Sequence, residues 1–183
     1  TTWLTPEGKE APLTESVKKS TMAVIDDLSG QALRVLAVAV KPMPKFPFDE
    51  KDEDLSSDDK FKAILNTGLH FMGLVASIDP ERDGVKQAVK DANAGNIRVV
   101  MITGDYLMTA KAIAHNIRIL KNAAEAREEG MEADDDNVAA LDCGRLRTNG
   151  DYLNESGIDA LTNRTKVFAR AKPEDKLEIV KSL

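Results

Sequence analysis

The stretch IRVVMITGD, residues 97–105, decides the fold class of this chain. Its first six residues form an apolar run broken by one arginine, which is typical of a strand covered on both faces, as in parallel sheets. Thr103, Gly104 and Asp105 then turn the chain into a predicted helix. That helix places four apolar side chains on one face: Ala110, Ile113, Ala114 and Ile117. The stretch therefore predicts a strand–turn–helix unit of an α/β domain.

The segments before this unit predict one helix and two strands. Thr14 is placed to cap a helix that ends at Gly30. The apolar residues of that helix share one face: Val17, Val24, Ile25 and Leu28. Residues 34–40 (RVLAVAV) predict a buried strand, and residues 69–78 predict a second strand that ends before Asp79-Pro80.

The segments after residue 78 continue the alternation of helices and strands. Asp83 is predicted to cap a helix that stops at Gly95. Residues 167–169 predict a short strand, and Pro173 begins a helix whose Leu177 and Val180 face inward. Residues 121–165 are polar and acidic, and their pattern predicts no clear element apart from a short helix near residues 159–163.

The composition excludes several classes of protein. Of the 183 residues, 42% are hydrophobic, so the chain can build a core and is not disordered as a whole. No apolar run approaches the roughly 20 residues that cross a bilayer. The single Cys143 excludes an internal disulfide. The net charge of −6 argues weakly against a nucleic-acid partner.

The charge is distributed unevenly. Residues 49–59 carry a net charge of −6 and residues 121–136 carry −5, so that the rest of the chain carries +5. A cationic remainder suits a domain that handles phosphate, whereas two solvated acidic loops on an ordinary surface is the simpler interpretation.

The turn at residues 103–105 is the first candidate site. Ligands of open α/β sheets lie beyond the carboxyl ends of the strands, where free backbone N–H groups and the helix dipole attract an anion. Asp105 alone is more simply a helix N-cap. Lys176 and Arg170 can each neutralise a phosphoryl group, although either is equally well a surface cation.

Other chemistry-bearing residues give weaker signals. Asp134-Asp135-Asp136 and Asp52-Glu53-Asp54 follow no buried strand, so neither predicts the aspartate nucleophile of a phosphate hydrolase. His70 and His115 lack partners at metal-ligand spacing, and Cys143 lacks a visible base. We therefore expect no nucleophile and no metal site in this chain.

Four motifs in order resemble the P-type cation-transporting ATPases: IDPER with Val85 (78–85), IRVVMITGD with TAKAIA (97–114), VFARAKPEDK running into IV (167–180), and ALRVLA (32–37). The resemblance implies that residues 1–78 end a nucleotide-binding (N) domain of α+β type. Residues 79–82 would be the hinge. Residues 79–183 would belong to a Rossmann-like phosphorylation (P) domain of the haloacid-dehalogenase type.

The resemblance also implies roles for individual residues. Thr103, Gly104 and Asp105 would line the phosphoryl site, and Lys176 would neutralise the transferring phosphate. Arg170 would support the nucleotide or acyl-phosphate region, and Arg34 would reach the nucleotide phosphates. ATP and Mg2+ are the implied cofactors, with the Mg2+ ligands outside this chain.

Several family elements are not found in the sequence. The D-K-T-G-T nucleophile loop and the T-G-D-G-x-N-D magnesium loop are missing, and Glu81 replaces the second proline of the D-P-P-R hinge. The chain begins at Thr1 and stops at Leu183 within a predicted helix. We therefore expect an inactive, soluble and monomeric fragment from the cytoplasmic side of a multi-pass membrane pump, with calcium favoured as its transported cation.

Two other functions are compatible with the same elements. One is a soluble haloacid-dehalogenase-like phosphatase, which would need a nucleophilic aspartate after a strand. The other is a non-catalytic Rossmann-like binding module, for which Arg34 and Lys176 would have no functional effect.

Overall fold

The computed structural model describes residues 2–45, 62, 64–65, 67–128 and 130–183. Its contacts divide the chain into two compact units, Thr1–Ile25 with Val35–Ala76 and Asp26–Arg34 with Ser77–Leu183. Strands and helices alternate along the chain, and the strands form several sheets. The mixed α/β class predicted from the sequence is therefore confirmed. The acidic segment 49–59, which includes Asp52-Glu53-Asp54, lies outside the described residues.

The described residues of the N-terminal half include a four-stranded mixed sheet and a long helix. Its elements are β1 (Thr2–Leu4), β2 (Glu10–Pro12), α1 (Glu15–Gly30), β3 (Leu33–Val40) and β4 (His70–Ile78). The strand order is β2-β1-β4-β3, with β1 antiparallel to β2 and parallel to β4. The N–H of Val17 donates to Thr14 Oγ1 at 3.3 Å, which confirms Thr14 as the cap of α1.

The prediction that residues 34–40 form a buried strand is half right. The strand exists, but Leu36 and Val38 are 58% and 40% exposed. β3 lies at one edge of its sheet, and within the described residues of this unit no second layer covers these side chains. The continuous apolar sequence of residues 34–40 thus predicted the strand correctly, but it wrongly predicted that the strand is buried.

The C-terminal half is built around a three-stranded parallel sheet. Its helices are α2 (Val85–Ala94), α3 (Leu107–Asn116), α4 (Ala123–Glu128), α5 (Asp136–Ala139), α6 (Glu155–Thr162) and α7 (Pro173–Ser182). Its strands are β5 (Met101–Ile102), β6 (Ala140–Asp142), β7 (Arg147–Thr148), β8 (Asp151–Tyr152) and β9 (Val167–Ala169). The parallel strands lie in the order β5-β9-β6, and β7 pairs with β8 separately.

The central strand β9 divides the core into two layers. Val167, Phe168 and Ala169 are fully buried, and their side chains alternate between the sheet faces, as strand geometry requires. Val167 and Ala169 pack in a cluster with Ala110 and Ala114 of α3. Phe168 packs in a second cluster with Ile158 of α6 and Ile179 of α7. Helices therefore cover both faces of the sheet, as the apolar sequence of residues 97–102 predicted.

Strand β5 is shorter than predicted. It contains only residues 101–102, because its neighbour β9 begins at Val167, opposite Met101. Residues 97–100 precede this ladder, and the Arg98 side chain donates instead to the carbonyl oxygens of Thr162 and Thr165.

The prediction that residues 121–136 form a solvated loop is wrong, whereas the short helix predicted near residues 159–163 is present as part of α6. The described residues of 121–165 contain three α-helices, one 3-10 helix and three strands. They supply eight apolar side chains to the core: Ala126, Ala139, Ala140, Leu141, Cys143, Leu146, Ile158 and Leu161. The acidic triplet is also structured. Asp134 bonds the Lys121 N–H and the Lys166 ammonium, and Asp135 caps α5. Short apolar groups separated by capping residues gave too weak a periodicity to predict these elements.

Two helix details differ from the sequence prediction. The N-cap of α2 is Gly84 with φ of 84°, rather than Asp83, and no side chain caps the helix. In α7 the predicted inward residues Leu177 and Val180 are 57% and 63% exposed. The buried face is formed by Asp175 and Ile179, because Asp175 is held by polar partners that the apolar pattern does not reveal.

Candidate functional site

The carboxyl ends of the three parallel strands form the candidate site. β5 is followed by the turn at residues 103–105, β9 by Arg170 and Ala171, and β6 ends at Asp142. This is the edge at which parallel α/β sheets bind their ligands. The structure thus brings the predicted residues Thr103, Gly104, Asp105 and Arg170 to one place.

Backbone hydrogen bonds fix the turn at residues 103–105. The N–H of Thr103 donates to Phe168 O, and the N–H of Ala171 donates to Thr103 O, both at 2.9 Å. The N–H of Arg170 donates to Asp105 O at 2.9 Å. A Cβ at Gly104 would meet Ala171 O at 3.9 Å, an ordinary contact. Packing therefore does not require glycine at position 104. Because Gly104 has no side chain, the outer face of the turn is open to a ligand.

The carboxylate of Asp105 is held by two side chains. Arg34 Nη2 donates to Oδ1 at 2.5 Å, and Thr103 Oγ1 donates to Oδ2 at 2.7 Å. The N-cap interpretation of Asp105 is therefore wrong, since Tyr106 occupies the cap position of α3 without a side-chain bond. Partial burial alone would raise the pKa of Asp105, but the bonds from Arg34 and Thr103 and the charge of Arg34 outweigh it and lower the pKa.

Arg34 is paired with Asp105 and is also accessible to solvent. Its side chain is 60% exposed, and the hydrogen bond to Asp105 and its charge raise the pKa of Arg34. A cavity of about 40 Å3 lies beside the pair, lined by Ala32, Arg34, Asp79, Asp105, Thr109 and Ile113. That volume is far below the roughly 300 Å3 of a small-molecule site. The remaining guanidinium donors of Arg34 are nevertheless available to an anion approaching from solvent.

Arg170 adds a second cation at the same sheet edge. Its backbone is left-handed, with φ of 51°, a conformation that costs a non-glycine residue about 1 kcal/mol. The guanidinium lies 5.0 Å above the ring of Tyr106, and its Nε lies 3.9 Å from Asp142 Oδ2. The ring and the carboxylate hold Arg170 over the turn while leaving its side chain 59% exposed.

Lys176 lies near this edge but does not touch the turn. It is an exposed residue of the first turn of α7, five positions after Ala171, whose N–H bonds Thr103 O. Among the described residues, no hydrogen bond or ion pair joins the Lys176 side chain to residues 103–105. The structure therefore brings Arg34, Arg170 and the turn together and leaves Lys176 at the rim.

Sequence analysis missed a buried ion pair next to Lys176. The adjacent Asp175 is 1% exposed and pairs with Arg147 at 2.5 Å. Tyr152 OH also donates to Asp175 at 2.8 Å. Both partners come from residues 121–165, for which the sequence gave no clear prediction, so the only available signal was a carboxylate at the third position of a helix that begins with proline.

The other chemistry-bearing residues have structural partners. His70 lies 2.7 Å from Thr2 Oγ1, and His115 pairs with Asp136 at 3.0 Å. Burial raises the pKa of the Cys143 thiol to about 12. Across the described residues, no three His, Cys, Asp or Glu side chains are grouped to hold a metal ion. Nor does any described helix have the length and apolar character needed to cross a membrane.

Comparison with known proteins points to one family. Residues 1–84 match the family model described as P-type ATPase, cytoplasmic domain N. The P-type sodium-transporting ATPase4 of Plasmodium falciparum is 35% identical over 86% of this chain and 12% of its own. A calcium-transporting ATPase of Bacillus subtilis is 33% identical over 96% of this chain and 16% of its own. The human sodium/potassium-transporting ATPase subunit alpha-3 is 32% identical over 95% and 18%. The chain thus spans less than a fifth of the length of these relatives.

Proposed function

Because the chain belongs to the P-type cation-transporting ATPases, we propose that it is a cytoplasmic part of an ATP-driven membrane pump. The full-length pump would move a cation through an aspartyl-phosphate intermediate. Residues 1–78 would end its nucleotide-binding domain, residues 79–82 would form the hinge, and residues 79–183 would belong to its haloacid-dehalogenase-type phosphorylation domain.

One observation carries the proposal: the turn at residues 103–105 and two arginines converge at the carboxyl edge of a parallel sheet. The Asp105 carboxylate is engaged by Arg34 and Thr103, and Arg170 is held over the same turn. Phosphoryl transfer is catalysed mainly by positioning and by stabilising developing negative charge. An edge that carries two exposed guanidinium groups beside a fixed turn is suited to that task.

Each site residue then has a defined role. Thr103 and Gly104 present the turn to the transferring phosphoryl group, and Asp105 fixes the turn through its bond to Thr103. Arg34 exchanges part of its contact with Asp105 for a nucleotide phosphate, which its exposure permits. Arg170 supports the acyl-phosphate region, and Lys176 neutralises the transferring phosphate as a point charge.

The two cofactors implied by the family fit this chain differently. The phosphates of ATP match the exposed guanidinium groups of Arg34 and Arg170. The family resemblance puts the Mg2+ ligands in the T-G-D-G-x-N-D loop, which is not found in this sequence, so no step is assigned through Mg2+ here. We also propose that this chain alone does not hydrolyse ATP, because the family's D-K-T-G-T nucleophile loop is not found in its sequence.

We propose calcium first as the transported cation, because the sequence motifs most resemble those of animal-type calcium and sodium/potassium pumps. The named relatives transport sodium, calcium, or sodium and potassium, so the test must compare these ions. ATP hydrolysis by the full-length protein in lipid vesicles, measured with Ca2+, Na+ or K+ supplied separately, should respond most strongly to Ca2+. Stimulation of ATP hydrolysis by Na+ alone would show that sodium, rather than calcium, is the transported cation.

The role of Lys176 gives the proposal a direct test. In the full-length pump, Lys176→Ala should slow phosphoenzyme formation from radiolabelled ATP by about 100-fold or more. Lys181→Ala is the matched control, since Lys181 is an exposed lysine of the same helix that pairs only locally with Glu178. Equal rates in the two variants would remove Lys176 from the site.

A second assay distinguishes the pump fragment from a soluble phosphatase. The isolated chain should not turn over p-nitrophenyl phosphate. Turnover that Asp105→Asn abolishes would favour the phosphatase, because a pump fragment without its nucleophile has no route to that activity.

A further inference from the structure

We propose that Arg147 and Tyr152 are positioning residues for Lys176, acting through the buried carboxylate of Asp175. This inference deepens the proposed function and rests on its assignment of Lys176 to the phosphoryl site. It adds a mechanical link between the β7–β8 hairpin and the start of α7.

The carboxylate of Asp175 is the centre of the link. Its side chain is 1% exposed. Oδ1 accepts from Tyr152 OH at 2.8 Å and pairs with Arg147 Nη2 at 2.5 Å. Oδ2 accepts from the Lys172 N–H at 2.8 Å, which closes the first turn of α7. One side chain therefore ties the helix start to two residues of the hairpin.

Arg147 and Tyr152 form a preassembled partner for this carboxylate. They are directly opposite each other in the antiparallel β7–β8 pair. The guanidinium lies 4.1 Å from the centre of the tyrosine ring, and Arg147 Nη2 donates to Tyr152 OH at 2.5 Å. The two donors thus reach Asp175 in one fixed arrangement, so little side-chain freedom remains to be lost.

The electrostatics agree with a carboxylate that stays ionised. Burial alone would raise the pKa of Asp175, but its bonds to the Lys172 N–H, Arg147 and Tyr152 lower the pKa overall. Burial and the bond to Asp175 raise the pKa of Tyr152 to about 12. The tyrosine therefore remains a hydrogen-bond donor throughout the physiological pH range.

The link reaches Lys176 because that residue directly follows Asp175. Successive residues of a helix point about 100° apart, so the buried contact of Asp175 sets the direction in which Lys176 leaves the helix. The other end of the same segment is fixed by the bond from Ala171 to Thr103 O. Lys176 is thereby held between the hairpin and the phosphoryl turn, although its own side chain is exposed.

A double-mutant cycle in the full-length pump tests this link. Arg147→Met should slow phosphoenzyme formation about tenfold, since a small misplacement of a catalytic group is costly. The ATP concentration for half-maximal rate should stay within about twofold, because positioning of Lys176 affects transfer more than binding. In the Lys176→Ala background, Arg147→Met should have almost no further effect on the rate. Arg145→Met, at an exposed arginine two residues away, should leave the rate unchanged.

Rates normalised to the number of phosphorylation sites separate positioning from loss of folded protein. If Arg147→Met does not fold, Tyr152→Phe replaces it in the same cycle, since it removes one hydroxyl and keeps the ring. Equal slowing by the hairpin variant in both backgrounds would overturn the link while leaving the role of Lys176 intact. A normal rate in Lys176→Ala would instead overturn the proposed function of Lys176, and the link with it.

Discussion

Arg34 and Asp105 form a hydrogen-bonded ion pair of 2.5 Å although 71 positions separate them in the sequence. Sequence analysis gave each residue a separate role, Arg34 on nucleotide phosphates and Asp105 at the phosphoryl turn. The pairing means that an incoming phosphate competes with Asp105 for one guanidinium. Binding of an anion at Arg34 and the electrostatic state of Asp105 are therefore coupled.

This coupling predicts the behaviour of Asp105 when its partner is removed. Arg34→Met should raise the pKa of Asp105 towards the ordinary value of about 4, because both the bond and the positive charge are lost. Carboxyl carbon NMR titration of the isolated chain measures this shift. Arg164→Met, at an exposed arginine, is the control and should leave the pKa in place.

The same pair contributes to stability in a defined pH range. Because the pKa of Asp105 in the folded chain lies below its ordinary value, the pair stabilises the fold above about pH 4. That contribution is lost as the pH falls through the folded pKa. The free energy of unfolding of the Arg34→Met chain should therefore fall less steeply with decreasing pH than that of the wild type. Equal pH dependence in the two chains would contradict this account.

Helix α7 offers a matched pair of core and surface variants. Ile179 is fully buried, whereas Leu177 is 57% exposed. Ile179→Ala should lower the free energy of unfolding by about 2 to 4 kcal/mol, and Leu177→Ala by less than about 0.5 kcal/mol. Urea denaturation of the isolated chain measures both. A larger loss from Leu177→Ala would restore the inward face predicted from the apolar pattern.

The single thiol reports on the segment that the sequence failed to predict. Cys143 is 1% exposed, and burial raises its pKa to about 12. Since the thiolate is the reactive form, a thiol reagent at pH 8 should modify the folded chain at least about 100 times more slowly than the urea-unfolded chain. Equal rates would mean that residues 140–146 are not packed as described.

Strong local signals made part of the fold predictable. The strand–turn–helix unit at residues 97–116 and the strand at 167–169 were found because continuous apolar runs and a helical stripe are unambiguous. Strand–helix alternation placed Thr103, Gly104 and Asp105 beyond the carboxyl end of a strand, and the family resemblance added Arg170 to the same region.

The supporting contacts were not predictable, because they depend on tertiary structure. Nothing near Arg34 in the sequence indicates that it bonds Asp105, and Asp175 is buried only because Arg147 and Tyr152 reach it. Apolar periodicity assigns buried positions to leucine and valine, so it misplaced the inward face of α7. It also predicted a solvated loop at residues 121–136 and did not reveal most of the short capped elements between residues 137 and 165.

The most direct measurement of the central claim is cation-stimulated ATP hydrolysis by the full-length protein carrying Asp105→Asn. The proposed phosphoryl site predicts a loss of about 100-fold or more relative to wild type, with Asp91→Asn, at an exposed acid of α2, retaining normal activity. Wild-type hydrolysis by Asp105→Asn would contradict the assignment of the turn at residues 103–105 to phosphoryl transfer.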